Sequence, residues 1–158
     1  MRIAEICSSP VFVAYPDQAL AVAAAEMRAQ DVGALVVVGP GDPRQHPLGI
    51  LTDRDIVRGQ VNQSADLRCL TVGDVMTRDV LCIRADAELT EAIAALASRG
   101  VRRAPVMDGS GTLVGIVTLD DLLPVIAQQL NELADTAAPQ PRQPAHRTRE
   151  RAAGAALS

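Results

Sequence analysis

Gly49-Ile50-Leu51-Thr52-Asp53-Arg54-Asp55-Ile56-Val57 returns further along the chain as Gly115-Ile116-Val117-Thr118-Leu119-Asp120-Asp121-Leu122-Leu123. Each copy closes a unit of about 60 residues. Working back from it, residues 3–38 align with 72–107 at a constant offset of 69 and without a gap. Val11/Val80, Asp17/Asp86, Leu20/Leu89, Ala23/Ala92, Val32/Val101 and Val37/Val106 are identical pairs. Neither half is long enough to bury a secure core alone, so the duplication predicts two units sharing one body. It also predicts two related sites about a pseudo-twofold axis.

Each unit reads as β-α-β-β-α. In the first, Val11–Val13 has strand character and Asp17 is placed to cap a helix over Gln18–Gln30. Leu20, Ala23, Ala24 and Met27 fall at i, i+3, i+4 and i+7, one apolar helical face. Strands follow at Ala34–Val38 and Leu48–Leu51, separated by the turn residues Gly39-Pro40-Gly41-Asp42-Pro43. A second helix starts at Thr52 and ends near Arg58-Gly59. In the second unit, a helical turn at Val72–Met76 precedes a strand at Val80–Ile83. Asp86 caps a helix over Ala87–Arg99, whose apolar face is Leu89, Ala92, Ile93 and Leu96. Strands at Ala104–Met107 and Leu113–Val117 flank the hairpin turn Asp108-Gly109-Ser110-Gly111. The last helix runs from Thr118 to about Ala134. The expected fold class is α+β, with residues 1–60 and 71–134 as repeats and 61–70 as a polar linker. Residues 135–158, rich in Pro, Ala and Arg, cannot bury enough apolar surface to order themselves and read as a mobile tail, with Thr148–Leu157 able to form a short helix against a partner.

Composition closes several doors. All fifteen basic residues are arginine, which removes a Walker A loop and any lysine Schiff base. Residues 1–134 carry 11 Arg against 17 acidic residues. An acidic body argues against a nucleic-acid surface. Cys7, Cys69 and Cys82 are odd in number and lack CxxC spacing, so neither a disulfide framework nor a zinc site is expected. Cys7 and Met76 occupy equivalent positions, which favours a packing role for that thiol. His46 and His146 have no partner for metal ligation or general-base work. No apolar run is long enough to span a bilayer, and Glu5 interrupts the only short apolar stretch at the N-terminus. The expected location is cytoplasmic.

Thr-x-x-Asp at a helix start has two physical readings. One is a capping box, in which threonine and aspartate satisfy each other's backbone amides, a contribution of about 1 kcal/mol. The other is a mononucleotide grip: free amides and a positive helix end suit a phosphate, and the carboxylate can accept both hydroxyls of a ribose. Both can hold at once. The glycine pairs Gly39/Gly41 and Gly109/Gly111 precede strands rather than helices and read as turns.

A βαββα unit with an Asp-x-x-Leu helix start, an Ala-Pro-Val-Met-Asp strand and a Gly-Ile-hydrophobic-Thr-x-x-Asp ending resembles a CBS domain, named from cystathionine β-synthase. Two in tandem resemble the paired unit called a Bateman module, and the resemblance covers residues 1 to about 130. It implies two clefts between the repeats that bind adenosine-containing ligands: AMP, ADP, ATP, S-adenosylmethionine or a dinucleotide. Carried over by position, Thr52 and Asp55 serve one cleft and Thr118 and Asp121 the other, the aspartates holding ribose hydroxyls. Backbone near Val13 and Cys82 lies close to adenine. The family's phosphate-contacting segment is Arg102-Arg103 in the second unit and Gly33-Ala34 in the first. Arg54 inside the first motif adds a phosphate-binding group where the second has Asp120. Val36 stands where the second unit has Pro105.

The sequence therefore predicts a non-enzymatic regulatory sensor with two unequal clefts. It is expected to form a homodimer, for which Ala21–Ala25 offers a flat face, and to act on an unidentified downstream protein. Two rivals stand beside it. One is a dimerisation or interaction scaffold with vestigial clefts, the other a metal or redox sensor using the three cysteines.

Overall fold

The computed structural model describes residues 1–63 and 66–137. The first unit contains β1 (Val13–Ala14), α1 (Leu20–Gln30), β2 (Ala34–Val38), β3 (Pro47–Thr52) and α2 (Asp53–Gln63). The second contains α3 (Val72–Val75), β4 (Ile83–Arg84), α4 (Leu89–Arg99), β5 (Arg103–Met107), β6 (Leu113–Thr118) and α5 (Leu119–Ala137). The strands form two sheets, β1-β2-β3 and β4-β5-β6. In each, the first pair is parallel and the second antiparallel. The predicted α+β class and the duplicated βαββα order are both present.

Alternation along the central strands divides the core in three. Leu35 and Val37 of β2 face α1 and α2, joining Leu20, Ala23, Met27, Leu51 and Ile56. Ala104 and Val106 of β5 face α4 and α5, joining Leu89, Leu96, Val117 and Leu122. Val36 and Val38 point the other way and meet Met107 and Leu113 across the gap between the sheets. Period-two burial on both faces makes each central strand almost wholly apolar and fixes its register.

The leading segment of each unit packs into the opposite unit. Ile3 is buried in the second core, and Ser8 exchanges backbone hydrogen bonds of 2.9 and 3.1 Å with Ile116 of β6. Reciprocally, Leu70, Val72 and Met76 join the first core, and Thr77 exchanges bonds of 2.9 Å with Ile50 of β3. This exchange explains the glycine that opens each repeated motif. A β-carbon on Gly49 would lie 2.8 Å from Met76 Sδ, and one on Gly115 would lie 2.5 Å from Cys7 Sγ. Cys7 and Met76 are thus the same packing residue in two versions, as their alignment predicts.

Four local expectations are corrected. Asp17 does not cap α1: the helix begins at Leu20 after Ala19, with no side-chain cap. The Leu20 amide instead meets the Leu70 carbonyl at 2.8 Å, supplied by the exchanged segment. Asp86 does not cap α4 either. It takes a bidentate contact from Arg84, and the N-cap falls to Glu88, whose amide bonds Glu91 Oε2 at 3.0 Å. Helix α2 does not stop at Gly59 but continues to Gln63; the glycine serves a close approach instead, since a β-carbon there would collide with Val75 Cγ1 of α3. Likewise α5 continues to Ala137. The expectations for the tail from residue 138 onward, including the short helix at 148–157, lie outside the described residues.

Candidate functional site

Two clefts open between the repeats, and each draws on both. The first, about 350 Å³, sets Thr52, Asp53, Arg54 and Asp55 of the first unit against Thr77, Val101, Arg102 and Arg103 of the second. The second, about 340 Å³, sets Thr118 and Asp121 of the second unit against Ser8, Val32, Gly33 and Ala34 of the first. Both fall in the size range of small-molecule sites, about 300–1,000 Å³. The crossing is the point that alignment alone leaves open: Arg102 belongs to the second repeat but serves the cleft of the first repeat's motif.

The motifs themselves are nearly superimposable in chemistry. The Thr52 hydroxyl donates to Asp55 Oδ2 at 2.7 Å and its amide donates to the same oxygen at 2.9 Å. Asp55 N–H returns a bond to Thr52 Oγ1 at 3.2 Å. Thr118 and Asp121 repeat this at 2.8, 2.8 and 3.3 Å. The capping reading therefore holds in both copies. In this arrangement the threonine directs its proton to Oδ2 of the aspartate and orients the carboxylate, leaving Oδ1 outside the cap.

At that second oxygen the copies diverge. Ser8 Oγ donates to Asp121 Oδ1 at 3.3 Å, a long bond that a ligand hydroxyl can displace. Its repeat counterpart, Thr77, lines the first cleft but makes no such bond to Asp55 among the described residues. A hydroxyl at equivalent positions just before the first strand of each unit was visible in the alignment; its place beside the motif of the other unit was not.

The expectation of open helix amides for a phosphate is not met at α2. Asp53 N–H bonds the Gly33 carbonyl at 3.3 Å, Arg54 N–H bonds Asp53 Oδ1 at 2.8 Å, and Asp55 N–H is held by Thr52. The positive charge in the cleft walls comes from guanidinium groups instead. Arg54, Arg102 and Arg103 all line the first cleft, whereas Arg103 alone reaches the second, whose other walls include Pro10, Val11, Phe12 and Ile116. Asp120 is exposed and lines neither. Val13 and Cys82 lie on or beside the short edge strands and are not among the residues lining either cleft. A third, wide depression between α1 and α2, about 520 Å³, has Asp53 and Gly33 in its wall. In the second unit Leu119 takes the place of Asp53 and packs on the core.

Burial pushes the Cys7 thiol up, with a smaller contribution from the Asp121 carboxylate. Burial also pushes Cys82 up. Both are shifted away from the thiolate that redox and metal chemistry use. Among the described residues no three His, Cys, Asp or Glu side chains gather to hold a metal, and no helix is long and apolar enough to cross a membrane.

The family model for the CBS domain matches residues 3–62 and again 72–128. The chain is 32% identical over 125 residues to the uncharacterized protein MK0525 of Methanopyrus kandleri, covering 79% of this chain and 62% of that one. It thus spans somewhat less than two thirds of that relative. Among solved structures, hypoxic response protein I with two coordinated zinc ions is 31% identical, with a TM-score of 0.67 over 78% of this chain and 98% of that one. The CBS domain pair of protein MJ0100, in complex with 5′-methylthioadenosine and S-adenosyl-L-methionine, is 23% identical, with a TM-score of 0.69 over 82% and 98%.

Proposed function

From the premise that this chain belongs to the CBS-domain family, we propose that it is a regulatory module binding adenosine-containing ligands in its two clefts. CBS-domain pairs are generally regulatory rather than catalytic. The observation that carries the reading is the crossed construction of the clefts. Each places an oriented aspartate of one repeat opposite the β2 or β5 entry segment of the other, so a ligand must touch both repeats at once. A ligand that bridges two units stabilises their relative arrangement by its differential affinity for it, which is the physical content of sensing here.

The clefts divide the ligand classes. Three arginines suit the first to AMP, ADP or ATP. One arginine and apolar walls suit the second to an adenosine carrying little or no phosphate, such as the thioether and sulfonium ligands bound by protein MJ0100. Association into a homodimer through exposed helix residues such as Val22 and Val57 would carry the response onward to a downstream protein in the cytoplasm.

The scaffold reading keeps one observation in its favour: both Thr-x-x-Asp motifs are satisfied as helix caps without any ligand. Thermal melting separates the two. A nucleotide at 100 times its dissociation constant adds about 2.7 kcal/mol, or about 5–10 °C at this chain length. Such a shift with an adenine nucleotide supports the sensor. A flat response to AMP, ADP, ATP, S-adenosylmethionine and methylthioadenosine overturns it in favour of the scaffold.

A further inference from the structure

One side chain belongs to both clefts. Arg103 lines the first and the second alike, whereas its counterpart in the first repeat, Ala34, lines only the second. Gly33 of the second cleft lies beside the Arg103 guanidinium. A β-carbon there would lie 3.7 Å from Arg103 Nη1, an ordinary contact distance that puts the guanidinium next to the first repeat. Asp53 Oδ2 comes within 3.8 Å of the same point, yet no ion pair holds Arg103 among the described residues. Its backbone is fixed opposite Thr118 in the β5–β6 ladder. The side chain alone is free to choose.

We propose that Arg103 is a shared specificity-determining residue that couples the two clefts negatively: a phosphate bound in one withdraws the guanidinium from the other. This rests on the reading of both clefts as adenosine-ligand sites. A guanidinium fork makes two parallel bonds to a single phosphate. A second phosphate drawn to the same group would bring two anions together over one positive charge. The first cleft keeps Arg54 and Arg102 in any case, and the second has no other arginine. A phosphorylated ligand therefore fills the first cleft and, in doing so, turns the second toward ligands without phosphate. Such a coupling is reciprocal and falls in the range of about 5–150-fold.

The test is a titration with AMP and, separately, adenosine, followed by the amide resonances of Ile56 and Leu122, the residues next to Asp55 of the first cleft and Asp121 of the second. Wild type, Asp55→Ala and each of these combined with Arg103→Ala are compared. Asp55→Asn replaces Asp55→Ala if α2 melts without its cap. We expect the second cleft to bind AMP about 5–150-fold more weakly in wild type than in the Asp55 variant. Arg103→Ala should erase that difference, and adenosine should show none. Equal AMP affinity of the second cleft in wild type and Asp55 variant overturns the coupling while leaving the ligand reading intact. So does a difference that survives Arg103→Ala, or a second cleft that takes AMP in neither protein. No resonance shift at either cleft with either probe overturns both.

Discussion

The two clefts start from the same repeated motif and end with different walls. Their aspartates are oriented by the same three hydrogen bonds within 0.1 Å. What differs most is what the opposite repeat contributes after the shared Val101 or Val32: Arg102 and Arg103 face the first motif, and Gly33 and Ala34 face the second. Duplication has kept the part that folds the helix start and let the facing segment diverge. Because the clefts are crossed, the facing segment lies about 50 residues from the motif in the first cleft and about 85 in the second.

The most disruptive way to break this comparison is to remove one aspartate at a time. Asp55→Ala should weaken AMP in the first cleft on the order of 100-fold, from losing charge-assisted bonds worth about 1.5–3 kcal/mol each. Asp121→Ala should leave that affinity unchanged; calorimetry on the two variants reads the contrast. Next comes Arg102→Ala, expected to cost AMP about tenfold or more in the first cleft while leaving adenosine affinity as it was. Equal losses for the two ligands would show that Arg102 does not meet the phosphate.

Smaller effects sharpen the picture at Asp121. Ser8→Ala frees its second oxygen and should raise adenosine affinity in the second cleft by about 2–10-fold. Thr77→Ala, which removes no bond to Asp55, should do nothing comparable in the first. The smallest effect is one the repeats share. Asp42 accepts backbone bonds from Arg44 and His46 at 3.0 and 2.8 Å, and Asp108 accepts them from Ser110 and Thr112 at 2.9 Å each. These bonds, foremost from His46 to Asp42 and from the Ser110 hydroxyl to Asp108, hold both carboxyls below the ordinary value of 3.8. A lowered folded-state pKa means that the stabilisation is complete above the unfolded value and lost as pH falls through the folded one. Melting temperature should thus be insensitive to these groups between pH 5 and 8 (about the range of maximal stability) and fall below pH 4. Asp42→Ala and Asp108→Ala should each flatten that fall by a similar, small amount.

How far the sequence goes toward this structure depends on range. Strand β2 lies where the apolar run Ala34–Val38 places it, because a strand buried on both faces needs little besides its own residues. The Thr-x-x-Asp caps are equally local and equally legible. Asp17 and Asp86 misled because the amides they were expected to cap are met by, or lie beside, a segment arriving from the other repeat. Gly59 reads as a stop when only its own helix is considered and as a contact once α3 is beside it. For the site, the aspartates and arginines singled out by the motif lie in the cleft walls, whereas Ser8, Thr77 and the double membership of Arg103 required knowing which segments cross. Adjacency across a pseudo-axis is a tertiary fact, and periodicity carries no trace of it.

The most direct test of the unequal clefts is a crystal structure of the chain grown with AMP. We predict AMP in the first cleft, with its ribose hydroxyls on Asp55 and its phosphate against Arg102 and Arg103. AMP in the second cleft with the first one empty, or its phosphate turned away from both arginines, would contradict the division of labour drawn here.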